Sequence, residues 1–467
     1  MDAETAYLFR HALLRDAAYQ LQLPGERARL HALALDLLEG LLGVPPRLEF
    51  DASGEPEFRP HPCDPHALDL AAHAAAASSL DAAAASRELL YVERASYRML
   101  KAHDLAQAAS LMQRAAAHPL QPASRRVLLL LSAGRTLHVG GRGAEAQALL
   151  REGTEQARAL GLDAALARGL TFQGIVLHEA NRLEEALQHY EQALTLRRAL
   201  GDRRMEGALL DNISASQARQ GKAAQAEENL RRALEIFGEL GDEHFTGGAM
   251  VNYGLLLMRT ARQQEARDML EQGLARLRST GDRRGEGMAL SILGGWHLNQ
   301  GRHADALALS RQALEVHRQV GNRRSEAKAL GTLGVVLRRS GAAAAAEQHQ
   351  RAALALYEDL EDRTGYALAL SNLAQVLVDL GRLDEAAALF ERAIEMQHAL
   401  RYGFGEGMAL CDYALCLTAQ GQIEQAKEAW RRGVPLLAAH ASPPEVQRVK
   451  AAMLAVCARA QVPSLES

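Results

Sequence analysis

The side chains able to do chemistry are scattered, and few of them cluster. His61, Cys63, His66 and His73 are of metal-ligating type and stand near one another, but their spacing follows no common zinc pattern and the surrounding stretch, Pro45 to Pro65, holds six of the thirteen prolines. No metal site is expected from such a set. The four cysteines (Cys63, Cys411, Cys416, Cys457) make no C-x-x-C, and Cys411 and Cys416, five apart, fall on different sides of a helix, so no disulfide framework is indicated either. Phosphate transfer would need a glycine-rich loop, yet the one Gly-Lys pair, Gly221-Lys222, is followed by Ala223 and lacks a glycine five residues upstream, which is not a P-loop. Motifs of the types G-x-S-x-G, H-E-x-x-H and GxGxxG are missing, so neither an enzyme nor a bound cofactor is expected.

Recurrent arginine pairs are the next candidates. Arg203-Arg204, Arg283-Arg284 and Arg323-Arg324 fall in the first turn of helices, where positive charge opposes the dipole, but Glu206, Glu286 and Glu326 lie three residues after each first arginine and predict self-paired turns rather than a phosphate site. The whole-chain balance agrees, with 53 basic against 57 acidic residues among 467, so no global field draws nucleic acid or an anionic membrane. Val127 to Leu131 is the longest aliphatic run and the N-terminus has no apolar h-region, which predicts a cytosolic chain with no membrane partner.

What positions these residues is a repeat. Gly201-Asp202, Gly241-Asp242, Gly281-Asp282 and Gly321-Asn322 recur every 40 residues, followed more loosely by Glu361-Asp362, and half a period later come Gly141, Asn181, Gly221, Gly301, Gly341, Gly381 and Gly421. Each period therefore holds two helices: the glycine ends one in the left-handed conformation, and the aspartate caps the next. Glu185-Ala186, Glu265-Ala266 and Glu385-Ala386 are followed seven residues later by Ala193, Gly273 and Ala393, small residues that let helices approach closely. Aromatics make up 4% of the chain against 48% hydrophobic residues, so the core is of Ala and Leu, as in close-packed helices. No proline interrupts the 312 residues between Pro122 and Pro435.

The small residues at Gly134, Gly174, Gly254, Gly294, Gly334, Ala374 and Ala414, with the Ala186-type and Ala193-type positions after them, resemble the tetratricopeptide repeat. The period of 40 and the missing late proline resemble the longer repeats of kinesin light chains and bacterial peptide-sensing regulators. The resemblance implies an all-α right-handed solenoid with eight repeats over 121–440, degenerate helical pairs over 67–120 with a partial ninth repeat at 82–118, and a capping helix and tail over 441–467. Residues 1–43 resemble the end of the winged-helix region of bacterial STAND-class signal-transduction ATPases, on Phe9, His11, Leu14, Tyr19, Leu23, Arg29, Leu30 and His31, with a proline-rich linker or loop at 44–66. His11 is expected to be a packed structural histidine.

In that repeat family the first helix of each pair turns a stripe spaced four, three and four toward a concave groove. By this resemblance the groove residues include Asn212 and Arg219; Asn252, Leu255 and Arg259; Asn299; Lys328 and Arg339; Asn372; and Asp412. Amides donate and accept, so Asn212, Asn252 and Asn372 suit the backbone of an extended peptide, unless they bridge neighbouring helices instead. Arg219, Arg259, Lys328 and Arg339 suit carboxylates, while Asp379 and Asp412 suit basic groups. The expected function is a non-catalytic sensor or scaffold that binds a protein or peptide with an acidic or extended segment. The alternative is the sensor arm of a STAND-type system whose ATPase is a separate partner.

Overall fold

The computed structural model describes residues 22–50, 56–79, 81–260, 262–441 and 443–466. Helices dominate, and their ends obey the punctuation of the sequence. The carboxylate of Asp202 accepts from the Met205 N–H at 3.1 Å, Asp282 from Gly285 at 2.9 Å and Asp362 from Gly365 at 2.9 Å, each opening a first helix. The turn before each cap is left-handed, at φ 68° for Gly201 and 71° for Gly281. Glu361 and Arg401 adopt it without glycine, at φ 50° and 52°, a strain of roughly 1–2 kcal/mol per residue.

The chain divides into two compact units, one comprising the residues up to His138 with 144–169, the other 139–143 with Leu170 onward. The first holds α1 (Pro24–Leu42), a two-stranded antiparallel ladder of β1 (Glu49–Phe50) and β2 (Pro56–Glu57), a 3-10 turn at Asp64–His66, α2 (Ala67–Ala77), α3 (Ala82–Lys101), α4 (Leu105–Ala117), and most of α5 (Ala123–Val139) and α6 (Gly143–Ala159). Leu35, Leu48, Cys63, Leu70, Leu89, Tyr91 and Met112 form its core. The proline-rich stretch is fastened to that core by Arg94. This side chain, 1% exposed, forks onto Asp64 at 2.6 and 3.0 Å and donates to the carbonyls of Pro46 and Arg59 at 3.2 and 2.9 Å.

Of the residues carrying the N-terminal resemblance, Phe9, His11, Leu14 and Tyr19 lie outside the described residues. In α1 it is Ala28 and Leu35 that face the core, whereas Leu30, Leu33, Leu37 and Leu41 are exposed. The histidines near Cys63 separate into two groups: His61 Nδ1 lies 3.1 Å from Cys63 Sγ, while His73 Nδ1 lies 2.7 Å from His31 Nδ1.

The second unit is a series of hairpins. Its first helices are the C-terminal part of α7 (Asp163–Glu179), then α9 (Arg203–Arg219), α11 (Glu243–Arg259), α13 (Arg283–Asn299), α15 (Arg323–Arg339), α17 (Arg363–Asp379) and α19 (Gly403–Ala419). The second helices are α8 (Leu183–Ala199), α10 (Ala223–Leu240), α12 (Gln263–Ser279), α14 (His303–Gln319), α16 (Ala343–Asp359), α18 (Leu383–Ala399) and α20 (Ile423–His440), and α21 (Pro443–Ala460) follows. Partners pack at the small residues: a Cβ on Gly254 would sit 2.6 Å from Leu270 Cγ, and one on Gly407 2.6 Å from the backbone nitrogen of Leu437. The last hairpin departs from the pattern in that α20 continues through Pro435, which supplies no backbone N–H to the helix ladder.

Arg94→Ala leaves the Asp64 carboxylate buried without its cation, and a loss of about 3–5 kcal/mol is expected. Denaturant unfolding of the full chain, followed by the signal of the first unit, checks it; an unchanged midpoint would show that the pair does not hold the proline-rich stretch.

Candidate functional site

Within the second unit, the stripe spaced four, three and four along each first helix is half-buried or exposed, and buried residues flank it on both sides. Asn212, Asn252, Leu255, Asn372 and Asp412 are half-buried, while Arg259, Asn299, Lys328 and Arg339 are exposed. The stripe is the inner face of the winding. Arg324, in the first turn of α15, pairs with the carboxylate of Glu179 at the end of α7, 145 residues away, and also with Asp362 at 3.3 Å. These partners lie on first helices separated by three others, so the two meet across the inner face. The turn at 139–143 likewise meets the far side of the unit, where a Cβ on Gly141 would lie 2.5 Å from Leu360.

Two predicted groove arginines are tied between repeats. Arg219 donates to the carbonyl of His178 at 2.9 Å and to Asn181 Oδ1 at 2.8 Å, and Arg259 donates to the carbonyl of Ala218 at 3.2 Å. Each thus reaches a carbonyl in the last turn of the preceding first helix, where a cation is favoured. Asn252 is also committed: its amide nitrogen donates to both oxygens of Asp211 at 2.9 Å, which is the helix-bridging role. Asp412 accepts from Gln375, and the neighbouring Asp379 from Arg338 at 3.2 Å. Asn212, Asn299, Lys328, Arg339 and Asn372 are the sequence-predicted polar residues whose side chains make no hydrogen bond or ion pair among the described residues.

Lys328 is one turn beyond Arg324 on α15, so the contact with Glu179 brings it toward Arg219, whose own bonds flank that glutamate. Water touches Lys328, yet protein surrounds it, and this burial lowers its pKa, helped by Arg219 and Arg259 and opposed by Glu179. Burial also lowers the pKa of Arg219 and Arg259. The same enclosure, with Arg219 beside it, pushes His178 down to about 4. Tyr402, which the sequence reading missed, belongs to this cluster: burial raises its phenol while Arg219 and Arg259 pull it down. Glu445 on α21 also lies within electrostatic reach of Arg259. Neither residue could be found from spacing, because Tyr402 and Glu445 stand 143 and 186 positions beyond Arg259 and only the winding brings them to it. Arg324 is thus paired directly with Glu179 and Asp362, whereas Lys328 makes no ion pair among the described residues and feels Glu179 only at a distance.

Two of the three arginine pairs behave as the spacing predicts at their first members, with Arg203 on Glu206 at 2.6 Å and Arg283 on Glu286, whereas Arg323 reaches Asp359 at 2.9 Å and Glu326 is taken by Arg318 at 2.8 Å. Second members reach forward one repeat, Arg204 to Asp242 at 2.7 Å. A shallow depression bordered by Glu243, Gln272 and Arg276 lies on the other side of the repeats, with Arg276 engaged by Glu243. Among the described residues no three metal-ligating side chains converge, and no helix is long and apolar enough to cross a membrane.

Burial raises the Asp211 carboxyl to about 6, against the pull of Asn252. A carboxyl whose folded pKa exceeds its unfolded value weakens the fold once ionised, so this cost is full above pH 6 and gone below about pH 4. Asp211→Asn is expected to stabilise the chain at pH 7.5 by roughly 1 kcal/mol, the lumen water screening part of the penalty, and by nothing near pH 4. Thermal melts of both proteins at the two pH values check the sign.

Models of the tetratricopeptide repeat match residues 174–203, 205–279, 286–359 and 365–438, together more than half of the chain. No curated protein sequence matches it. Among solved structures, a Rap protein complexed with Competence and Sporulation Factor is similar at 13% identity and a TM-score of 0.55, over 78% of this chain and 99% of that one. The STAND protein with a tetratricopeptide repeat sensor from Pyrococcus horikoshii is similar at 14% identity and a TM-score of 0.49, over 79% of this chain and 54% of that one. The apo quorum sensor NprR from B. thuringiensis gives 13% and 0.48, over 74% and 97%. These likenesses are of fold.

Proposed function

Because the chain belongs to the tetratricopeptide-repeat family, we propose that it is a non-catalytic sensor or scaffold module that binds an extended, acidic peptide segment along the inner face of its second unit. One observation carries this reading: Lys328, on the stripe beside Arg219 and Arg259, makes no hydrogen bond or ion pair among the described residues, and the repulsion from those two cations is only partly offset by Glu179. Like charges held close together on one face repel, and a carboxylate arriving with a ligand would relieve that repulsion. Asn212 and Asn372, on the same stripe and without side-chain partners among the described residues, can bind a peptide backbone whatever its sequence. Asn252 is removed from that role by Asp211. The Rap protein was solved with a bound factor, and a shared fold makes the corresponding inner face a reasonable place to look.

The test uses a labelled acidic octapeptide, a basic octapeptide of equal length, and fluorescence polarisation. The acidic probe is expected to bind and the basic one to fail. Lys328→Ala should weaken acidic-probe binding about tenfold, roughly 1.4 kcal/mol, while the free protein melts no lower than wild type. Equal binding of both probes, or a Lys328→Ala variant that binds like wild type, would remove the inner face from the reading.

A further inference from the structure

The last helix does not continue the solenoid. Every first helix from α9 to α19 packs on second helices, chiefly the one that follows it in its own hairpin and then the one before it, whereas α21 packs more on α19, a first helix, than on α20. It therefore lies over the inner face at the C-terminal end of the series. Val449, Met453 and Cys457 join the apolar core of the last repeats and hold it there. Its opening turns carry Glu445 and Arg448, spaced three apart and paired at 3.5 Å. Glu445 comes within electrostatic reach of Arg259 and Tyr402, and Arg448 within reach of Arg339 and Asp412. An acid thus faces Arg259 in the basic part of the stripe, while Arg448 faces both Asp412 and the cationic Arg339.

We infer that α21 is a built-in competitor, with Glu445 occupying the place on the Arg259 and Tyr402 side of the inner face that a ligand carboxylate takes when it binds. This deepens the peptide-binding reading and rests on it. The matching charges are those of a ligand with an acidic group toward the middle of the stripe. No hydrogen bond joins Glu445 to Arg259 among the described residues, so the contact is electrostatic and exchangeable, whereas the apolar side of α21 is a firmer anchor. Binding then requires the opening turns of α21 to yield, and apparent affinity falls by the fraction of molecules in which they have done so.

Polarisation with the same acidic octapeptide tests this on the full chain. Glu445→Ala removes the competitor and keeps the apolar anchor, so it should bind the probe about three- to tenfold more tightly than wild type. Hydrogen exchange is the second measurement, in which the probe should speed exchange at the start of α21 in the wild-type protein. Unchanged or weaker binding by Glu445→Ala, with Lys328→Ala still weakened, overturns the competitor while leaving the groove intact. Tighter binding by Glu445→Ala without any change of exchange in α21 overturns the displacement. If the probe binds none of the three proteins, the groove reading fails and the competitor fails with it.

Discussion

The close approach between the two helices of each hairpin is the constraint on which the second unit depends. At Gly254 the space a side chain would fill is taken by Leu270, and at Gly407 the backbone of α20 itself occupies it. Such contacts fix how one helix crosses its partner, and the same crossing repeated every forty residues sets the winding. The apolar clusters follow that logic. One joins Leu330 and Leu333 of α15 to Ala353 and Tyr357 of α16 and on to Ala369 and Val376 of α17, so each core is shared by adjacent hairpins. Stability in this arrangement is a sum of local interfaces.

The winding has an electrostatic consequence. It draws the inner stripes of different first helices toward one another, so side chains that would be solvated on a single hairpin face other charges across a narrow space. Some charges are answered within the protein. Arg219 and Arg259 stitch each first helix to the carbonyl end of the one before it, and Arg324 meets Glu179. Lys328 makes no ion pair among the described residues, and its pKa is lowered first by the surrounding protein and then by Arg219 and Arg259, with Glu179 opposing. The same enclosure acts on carboxylates in the opposite direction, raising Asp211 and Asp412 to about 6.

The first unit is held by a different device. The described parts of its proline-rich stretch have little regular structure to share backbone hydrogen bonds, so buried and half-buried side chains satisfy those groups. Arg94 serves Pro46 and Arg59, and Arg125 serves Leu48 at 2.5 Å while pairing with Glu93. A segment whose composition reads as a loop is thereby ordered by cations from α3 and α5.

The sequence by itself determined the helices, their caps and their pairing, because these depend on residues within one forty-residue period. Asp202 with Met205, and Gly254 opposite Leu270, are such short-range relations, and so is the pairing of Arg203 with Glu206. Spacing also determined the inner stripe, since a helix places residues four, three and four apart on one side. The tertiary structure decided which stripe residues are spent and which remain open. Asn252 and Arg259 looked equivalent to Asn212 and Lys328 in the sequence, yet the first two bond to the neighbouring repeat and the latter two do not. It alone decided that Glu179 meets Arg324, and that Tyr402 and Glu445 join Arg259. Those encounters span more than one hundred residues, and their cause is the angle accumulated over several hairpins, a quantity that no single period encodes.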